Sequence, residues 1–321
     1  MKYKYFFNKF MINIKKNLLK LSGKKFLING GEGMLGIAFD EMLKKYVPNC
    51  QIIKCTKKEL DVTNLEQVLS YDNKKLDFII HCASISSLTP VEYCEEHPDE
   101  SYKVYVQGIN NIIELAKKTN SKLFYPQSFL IYDGKSNPVN EETKPNPLSL
   151  YAKHKLESEL IIFNKFQNSL VVRMGGFFGG RENDKNFVGK IIPEILKKIH
   201  SEEKLLEIGD RIWQPTFTND LALNCLLLLA NQKSGKYNMA SHGKASFYEL
   251  TKEIVSILSL TKKINLVKIS SSKFSKKEKA KRPLLVLMNN RKLEKEGLDI
   301  QKNWQEELKE YLSHQYFKKL F

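Results

Sequence analysis

Hydrophobic and polar positions switch repeatedly between two periods along the chain. From Lys24, KKFLING reads as a short apolar strand running into GEGMLG, after which IAFDEMLKKY carries apolar residues at helical spacing. QIIKCT and LDFIIHCAS follow as short runs with β-branched residues, separated by a helical segment from Asn64 to Leu69. The alternation continues with a helix over 101–118, a strand at KLFYPQS, a helix from Ser149 to about Phe166 and a strand at SLVVRMGG. Strands alternating with helices imply a parallel sheet, so the expected fold class is α/β with a doubly wound sheet. After Gly180 the pattern is less regular. Helices are expected at 186–199, 219–230, 246–259 and 303–318 and short strands at 204–208 and 236–240, forming a smaller C-terminal, substrate-side lobe. The segment SSSKFSKKEKAKRP has few apolar residues and ends in proline, which predicts a mobile loop over or beside that lobe.

Residues 1–22 stand apart. Lysines break every apolar run there, so no secretory h-region is present, and the stretch reads as a basic extension ahead of the fold. It is expected to be a tail, with a basic amphipathic helix making weak contact with an anionic membrane surface as the alternative, and Met11 competes with Met1 as the start. The expected division is therefore 1–22 extension, 23–180 nucleotide-binding domain and 181–321 mainly substrate lobe, interleaved with the first.

Composition narrows the classes. Of 321 residues 42% are hydrophobic, enough for a large core, yet the apolar runs, such as Leu226 to Ala230, fall far short of the ~20 residues of a membrane span. Five cysteines with no C-x-x-C suggest neither a disulfide framework nor a zinc ribbon and fit a reducing, cytoplasmic compartment. The net charge of +16 raises the question of nucleic acid, but only five basic residues are arginine, the side chain that reads bases and phosphates bidentately. No nucleic-acid partner is expected.

Candidate chemistry begins at the first strand. Gly30, Gly31, Gly33 and Gly36 satisfy G-x-G-x-x-G where strand meets helix, letting the backbone of the loop, with Met34 and Leu35, approach a pyrophosphate at the helix start. The second strand ends in Cys55, Thr56, Lys57 and Lys58, with no acid before Glu59. A 2′-phosphate suits Lys57 better than a bare ribose, so NADPH is the expected cofactor and NADH the alternative. Tyr151 and Lys155, four apart in SLYAKHKLESEL, share one helix face. An ammonium beside a phenol favours the phenolate and opens proton transfer near neutral pH, and Ser128 at the preceding strand end can hydrogen-bond the same reacting oxygen. His81, Cys82, Cys94 and His97 lack the tight grouping of a metal site, and none is expected.

With these residues in order, the sequence resembles the extended short-chain dehydrogenase/reductase family, most closely its dTDP-4-dehydrorhamnose reductase branch. KELDVTN, FIIHCAS, YPQSFLIYDGK, PLSLYAKHKLESE, VVRMGGFFGG, Asn186–Phe187, QPTFTNDLA and RPLLVLMNNRKLEKEGL carry the likeness from about Lys24 to the C-terminus. The resemblance implies a Rossmann-like sheet, with Ser128, Tyr151 and Lys155 as catalytic set and Asp61, Val62, Ala83 and Ser84 along the cofactor. Ser128 and Asn186 are expected on the substrate side, and Trp213, just before PTFTNDLA, either lines the substrate lobe or simply packs. The implied reaction is NADPH-dependent reduction of the C4 ketone of a nucleotide-linked 4-keto-6-deoxyhexose for surface glycans; a homodimer is a possible assembly that the sequence itself does not fix. Three positions depart from the branch: Tyr105 replaces an Asn, Phe129 an Asp, and Gly176 the tryptophan of R-x-x-W-x-x-G. They keep open a non-catalytic NADP-binding regulatory subunit like the β subunit of methionine adenosyltransferase, while a nucleotide-sugar epimerase or epimerase–reductase is the second alternative because the same tyrosine and lysine can serve reversible oxidation with tightly held NAD.

Overall fold

The computed structural model describes residues 12–85, 87, 89–275 and 278–320. Residues 12–18 form a first helix, α1, closed by a 3-10 turn over Leu19–Leu21. The chain then runs β1 (Lys25–Asn29), α2 (Met34–Tyr46), β2 (Gln51–Cys55), α3 (Leu65–Leu69) and β3 (Phe78–His81). Next come α4 (Pro90–Glu96), α5 (Pro98–Tyr102), a π-helical turn over Lys103–Gln107, α6 (Gly108–Thr119), β4 (Lys122–Ser128), α7 (Leu150–Lys165) and β5 (Ser169–Met174). The remainder comprises β6 (Phe177–Phe178), α8 (Phe187–Ile199), β7 (Leu205–Gly209), β8 (Ile212–Trp213), β9 (Thr216–Phe217), α9 (Thr218–Ala230) and β10 (Gly235–Met239). It closes with β11 (Ala245–Ser246), α10 (Phe247–Ile257), β12 (Asn265–Ile269), α11 (Ser272–Ser275), α12 (Arg291–Lys295), α13 (Trp304–Leu312) and α14 (Gln315–Lys318).

Six parallel strands make the central sheet in the order β10-β5-β4-β3-β1-β2. β3 and β5 are buried along their whole length, as strands covered on both faces must be, and this is why they read as unbroken apolar runs. On one face Leu35 and Phe39 of α2 pack with Leu221 and Leu226 of α9; on the other Ile109 and Ile113 of α6 pack with Ile162 of α7. The chain leaves β1 outward to β2 and returns to β3 on the other side, so a crevice opens at the carboxyl ends of β1 and β3.

Four features differ from the sequence-based expectations. The extension is not simply a tail: Ile14, Leu18 and Leu21 are buried in the same core as α2 and α9, while Ile12 and Leu19 stay exposed. Residues 1–11, with the Met1 and Met11 starts, lie outside the described residues. The strand expected near 236–240 joins the central sheet as β10, pairing Tyr237 with Val172 of β5. The helix expected over 101–118 is interrupted by the π turn, where the Ser158 hydroxyl donates to the Tyr105 carbonyl (2.9 Å). The basic loop is tied down at its described C-terminal end, Glu278 taking both Arg211 guanidinium nitrogens at 2.9 and 2.8 Å and Arg282 gripping Glu92. Among the described residues no helix is long and apolar enough to cross a membrane.

Beyond the sheet, α8, α10 and α13 enclose a second core of Ile192, Ile195, Leu250, Ile254 and Leu308. Short pairings, β7 with β12, β6 with β9 and β8 with β11, brace this lobe against the end of β5.

Candidate active site

The glycine loop is built for close approach. Gly30 has φ +66°, and a β-carbon there would lie 2.6 Å from the Ala83 nitrogen and the Cys82 carbonyl carbon, so β1 and β3 can converge only without a side chain. At Gly36 a β-carbon would lie 2.5 Å from the Gly30 carbonyl oxygen, which presses the start of α2 onto the loop. Gly33 is the N-cap and offers no side-chain acceptor, and the first turn holds no acid. The opening amides around Met34 and Leu35 lack intrahelical acceptors, the arrangement that receives a phosphate. This cradle fits a dinucleotide.

Contacts lead from the loop to the tyrosine–lysine pair. Asn29 bridges buried His81 at Nδ1 and accepts from the Ala83 amide (3.2 Å). Ser84 Oγ lies 2.8 Å from the Tyr105 hydroxyl, and the Tyr105 ring meets Tyr151 edge-on at 5.4 Å. The π turn therefore inserts Tyr105 between the cofactor-side loop and α7, where the resembling branch has an asparagine. Sequence reasoning marked Tyr105 as a departure and missed this bridging role.

Ser128 ends β4 with the Tyr151 phenol hydrogen-bonded to it, and Lys155 reaches the same strand two residues earlier, at Pro126. Burial raises the Tyr151 phenol to about 12, the nearby Cys94 thiol pushing the same way and a hydrogen bond with Ser128 opposing both. Lys155 donates to the Pro126 carbonyl (2.6 Å) with its Nζ 3.9 Å from the Tyr125 ring centre. Burial lowers its ammonium to about 7, with Cys82 and Glu159 opposing. The depression expected at the phenol is thus not what the structure shows, because desolvation dominates at both groups. Buried His81 is held neutral, pushed by desolvation and then by Lys155 to about 3.

A second tier fixes α7. Glu159 takes the Arg173 guanidinium, with both side chains about 3% exposed, and Gln127 donates to Glu159 (3.0 Å) and to the Lys155 carbonyl (2.8 Å). Tyr151, Lys155 and Glu159 recur every four residues, a signal in the sequence that points to Glu159 on the same helix face but not to its partners Gln127 and Arg173 on β4 and β5.

The remaining candidates are placed as follows. Lys57 is exposed in the turn after β2, and Glu59 turns back to accept from the Thr56 amide (2.8 Å), bringing an acid to that strand end. Asp61 is committed to Thr63 at 2.9 Å from its amide and 2.8 Å from its hydroxyl, and Val62 is buried beneath Gly108. Asn186 stands at the N-cap position of α8 without a side-chain capping bond and donates to the Phe177 carbonyl (2.7 Å), while Trp213 is buried against Gly176. Of the four residues weighed as a metal set, His97 stacks on Tyr93 at 4.0 Å and Cys94 is buried apart. His242, Glu294 and Asp299 gather elsewhere, with His242 already 3.3 Å from Asp299.

A sequence model of the RmlD substrate binding domain family matches residues 24–317. The chain is 28% identical to dTDP-4-dehydrorhamnose reductase of Aggregatibacter actinomycetemcomitans, over 70% of this chain and 76% of that protein. It is 26% identical to methionine adenosyltransferase 2 subunit beta of Xenopus tropicalis, over 78% and 76% respectively. Among solved structures, a dTDP-4-dehydrorhamnose reductase of Clostridium acetobutylicum superposes with TM-score 0.81 at 28% identity, covering 90% of this chain and 98% of that one.

Proposed function

The chain belongs to the RmlD substrate binding domain family, and from that membership we infer that it reduces the C4 ketone of a nucleotide-linked 4-keto-6-deoxyhexose with NADPH in deoxysugar biosynthesis. The observation that carries the reading is the Ser128–Tyr151–Lys155 cluster, joined through Tyr105 and Ser84 to a glycine cradle that side chains would fill. The reductases among its relatives supply the substrate class.

Gly30, Gly33, Gly36 and the opening amides of α2 would hold the pyrophosphate, with Ala83 and Ser84 alongside the dinucleotide and Lys57 toward a 2′-phosphate. Bound NADPH supplies the hydride. Tyr151 gives its phenolic proton to the alkoxide forming at C4; a phenol held near 12 stays protonated at neutral pH yet is a stronger acid than a free alkoxide's conjugate alcohol. Ser128 hydrogen-bonds the phenol and orients it, and Lys155, close to its own titration point, balances the phenolate left behind. Asn186 and Trp213 stand on the sugar side. Residues 23–180 supply mainly the nucleotide site and 181–321 mainly the sugar site. A homodimer and a cytoplasmic site belong to the same reading, the five free cysteines suiting the latter.

The test is loss of NADPH absorbance with dTDP- and UDP-linked 4-keto-6-deoxyglucose, wild type against Tyr151→Phe. Turnover reduced at least a hundredfold by the substitution is expected. Similarity to the methionine adenosyltransferase subunit, together with Tyr105 and Phe129, favours one other reading, a regulatory NADP-binding subunit. NADPH binding without turnover of any keto-sugar, together with co-purification with one enzyme partner, would favour that reading instead.

A further inference from the structure

Between β6 and α8 the chain folds around one buried carboxylate. Asp184 is 7% exposed; its Oδ2 accepts from the Gly179 amide (3.0 Å) and the Tyr311 hydroxyl (3.4 Å), and its Oδ1 from the Asn186 amide (2.9 Å). Burial raises the carboxyl to about 6, opposed by the amides of Gly179, Asn186 and Gly189 and by Tyr311, so it is charged at neutral pH and holds four donors. Gly189, in the first turn of α8, lets the loop sit this close: a β-carbon there would overlap the Asp184 carbonyl oxygen.

The start of α8 is thus capped from outside. An asparagine at an N-cap usually turns its side-chain oxygen onto the amides of its own first turn. Asn186 holds that position and makes no such bond; Asp184, two residues earlier, receives the amides instead. The Asn186 carboxamide is thereby released. Its Nδ2 donates to the Phe177 carbonyl (2.7 Å), its oxygen accepts no hydrogen bond among the described residues, and the side chain is partly exposed. Phe177 follows Gly176, where a β-carbon would come within 3.4 Å of the Phe129 ring, next in sequence to Ser128.

The other side of the loop rests on the cofactor cradle. A β-carbon on Gly180, at φ +81°, would lie 3.2 Å from the Met34 side chain, and Arg181 pairs with Glu41 of α2. Tyr311 of α13 joins the two halves of the loop, accepting from the Arg181 amide (3.0 Å) while donating to Asp184. One carboxylate stands between the helix that would hold the pyrophosphate and the asparagine expected at the sugar.

We propose that Asp184 is a positioning residue for sugar binding: by capping α8 in place of Asn186 it keeps the Asn186 carboxamide oxygen open to a sugar hydroxyl, in register with the cofactor cradle. The proposal rests on the reductase reading and its placement of Asn186. Asp184 itself touches neither substrate nor cofactor.

The experiment uses the full chain with NADPH and dTDP-linked 4-keto-6-deoxyglucose, comparing wild type, Asp184→Ala, Asp184→Asn, and Asp184→Ala combined with Asn186→Asp. Asp184→Ala lets Asn186 turn back onto its own helix, so the melting temperature is expected to fall and the sugar KM to rise roughly tenfold, with the NADPH KM held within about twofold. Asp184→Asn keeps the shape and one acceptor and is expected to move both quantities the same way by less, which preserves the test if the alanine variant does not fold. In the double variant the Asn186→Asp carboxylate is committed to the cap, so the melting temperature should recover while the sugar KM stays raised; a merely structural role would restore both. Calorimetric binding of dTDP-linked 6-deoxyglucose with NADP present reads the same effect without turnover, and should weaken about tenfold in Asp184→Ala. Unchanged sugar KM in both single variants, equal rises for sugar and NADPH, or a sugar KM that recovers with stability in the double variant overturns the proposal and leaves the reductase reading standing. Binding weakened in Asp184→Ala without turnover in wild type keeps the positioning role and removes the reductase reading; neither binding nor turnover in wild type removes both.

Discussion

Lys155 and Pro126 meet where β4 ends: the buried ammonium donates to the Pro126 carbonyl over 2.6 Å. Its carboxylate neighbour Glu159 is already engaged by Arg173, so burial wins and the ammonium falls from 10.5 to about 7. Between those values the unfolded chain holds a proton that the folded chain lacks, so this residue makes stability rise with pH from about 7 to about 10.5, and its full cost is felt below 7. Lys155→Met is expected to abolish turnover yet melt higher than wild type at pH 6.5. The advantage should shrink toward pH 9.5 by at most about 1.4 kcal/mol per pH unit. A variant that melts lower than wild type at pH 6.5 contradicts this account.

Gly30→Ala tests the cradle. It places a methyl 2.6 Å from backbone atoms of Cys82 and Ala83 and strains a left-handed residue, so a loss of about 1–3 kcal/mol and weakened NADPH binding are expected. Gly23→Ala is the control: its φ is +72°, but nothing lies within 4 Å, so it bears backbone strain without crowding. Equal thermal losses and equal NADPH affinities in the two variants would argue that crowding plays no part.

Glu159 and Arg173 are expected to act as one unit. Glu159→Ala leaves a guanidinium buried without its carboxylate and should cost about 3–5 kcal/mol, whereas Glu159→Leu with Arg173→Met should cost markedly less. Chemical denaturation of the two variants and wild type decides it.

Lys57→Ala is expected to raise KM for NADPH about tenfold and to leave that for NADH unaltered. Because Glu59 turns toward the same strand end through the Thr56 amide, Glu59→Gln should shift preference further toward NADPH. Equal changes for both cofactors would place Lys57 outside the 2′-phosphate site.

Leu18→Ala probes the N-terminal helix. Leu18 is fully buried among residues of α2 and α9, so truncation should cost about 2–5 kcal/mol. A change below about 0.5 kcal/mol is what a surface position gives.

Local pattern carried most of the framework. Apolar runs covered on both faces marked β1, β3 and β5, the glycine spacing marked the cradle, and a four-residue repeat placed Tyr151 and Lys155 on one face, with Glu159 visible in the same repeat. The N-terminal helix was misread because its lysines mask three apolar residues at helical spacing, Ile14, Leu18 and Leu21, whose partners lie in α2 and α9. The π turn was unreadable for a related reason: the Tyr105 carbonyl is met by Ser158, fifty-three residues away.

What the sequence by itself determined, then, is what short-range periodicity encodes: the alternating strands and helices, the turn that needs glycine, and the chemistry of one helix face. Tertiary structure alone decided that β10 closes the sheet beside β5, that Trp213 occupies the volume left by Gly176, and that Tyr151 and Lys155 titrate in opposite directions. Each of these depends on which distant segments exclude water from one another, and packing and desolvation are properties of the assembled neighbourhood, not of any stretch of chain.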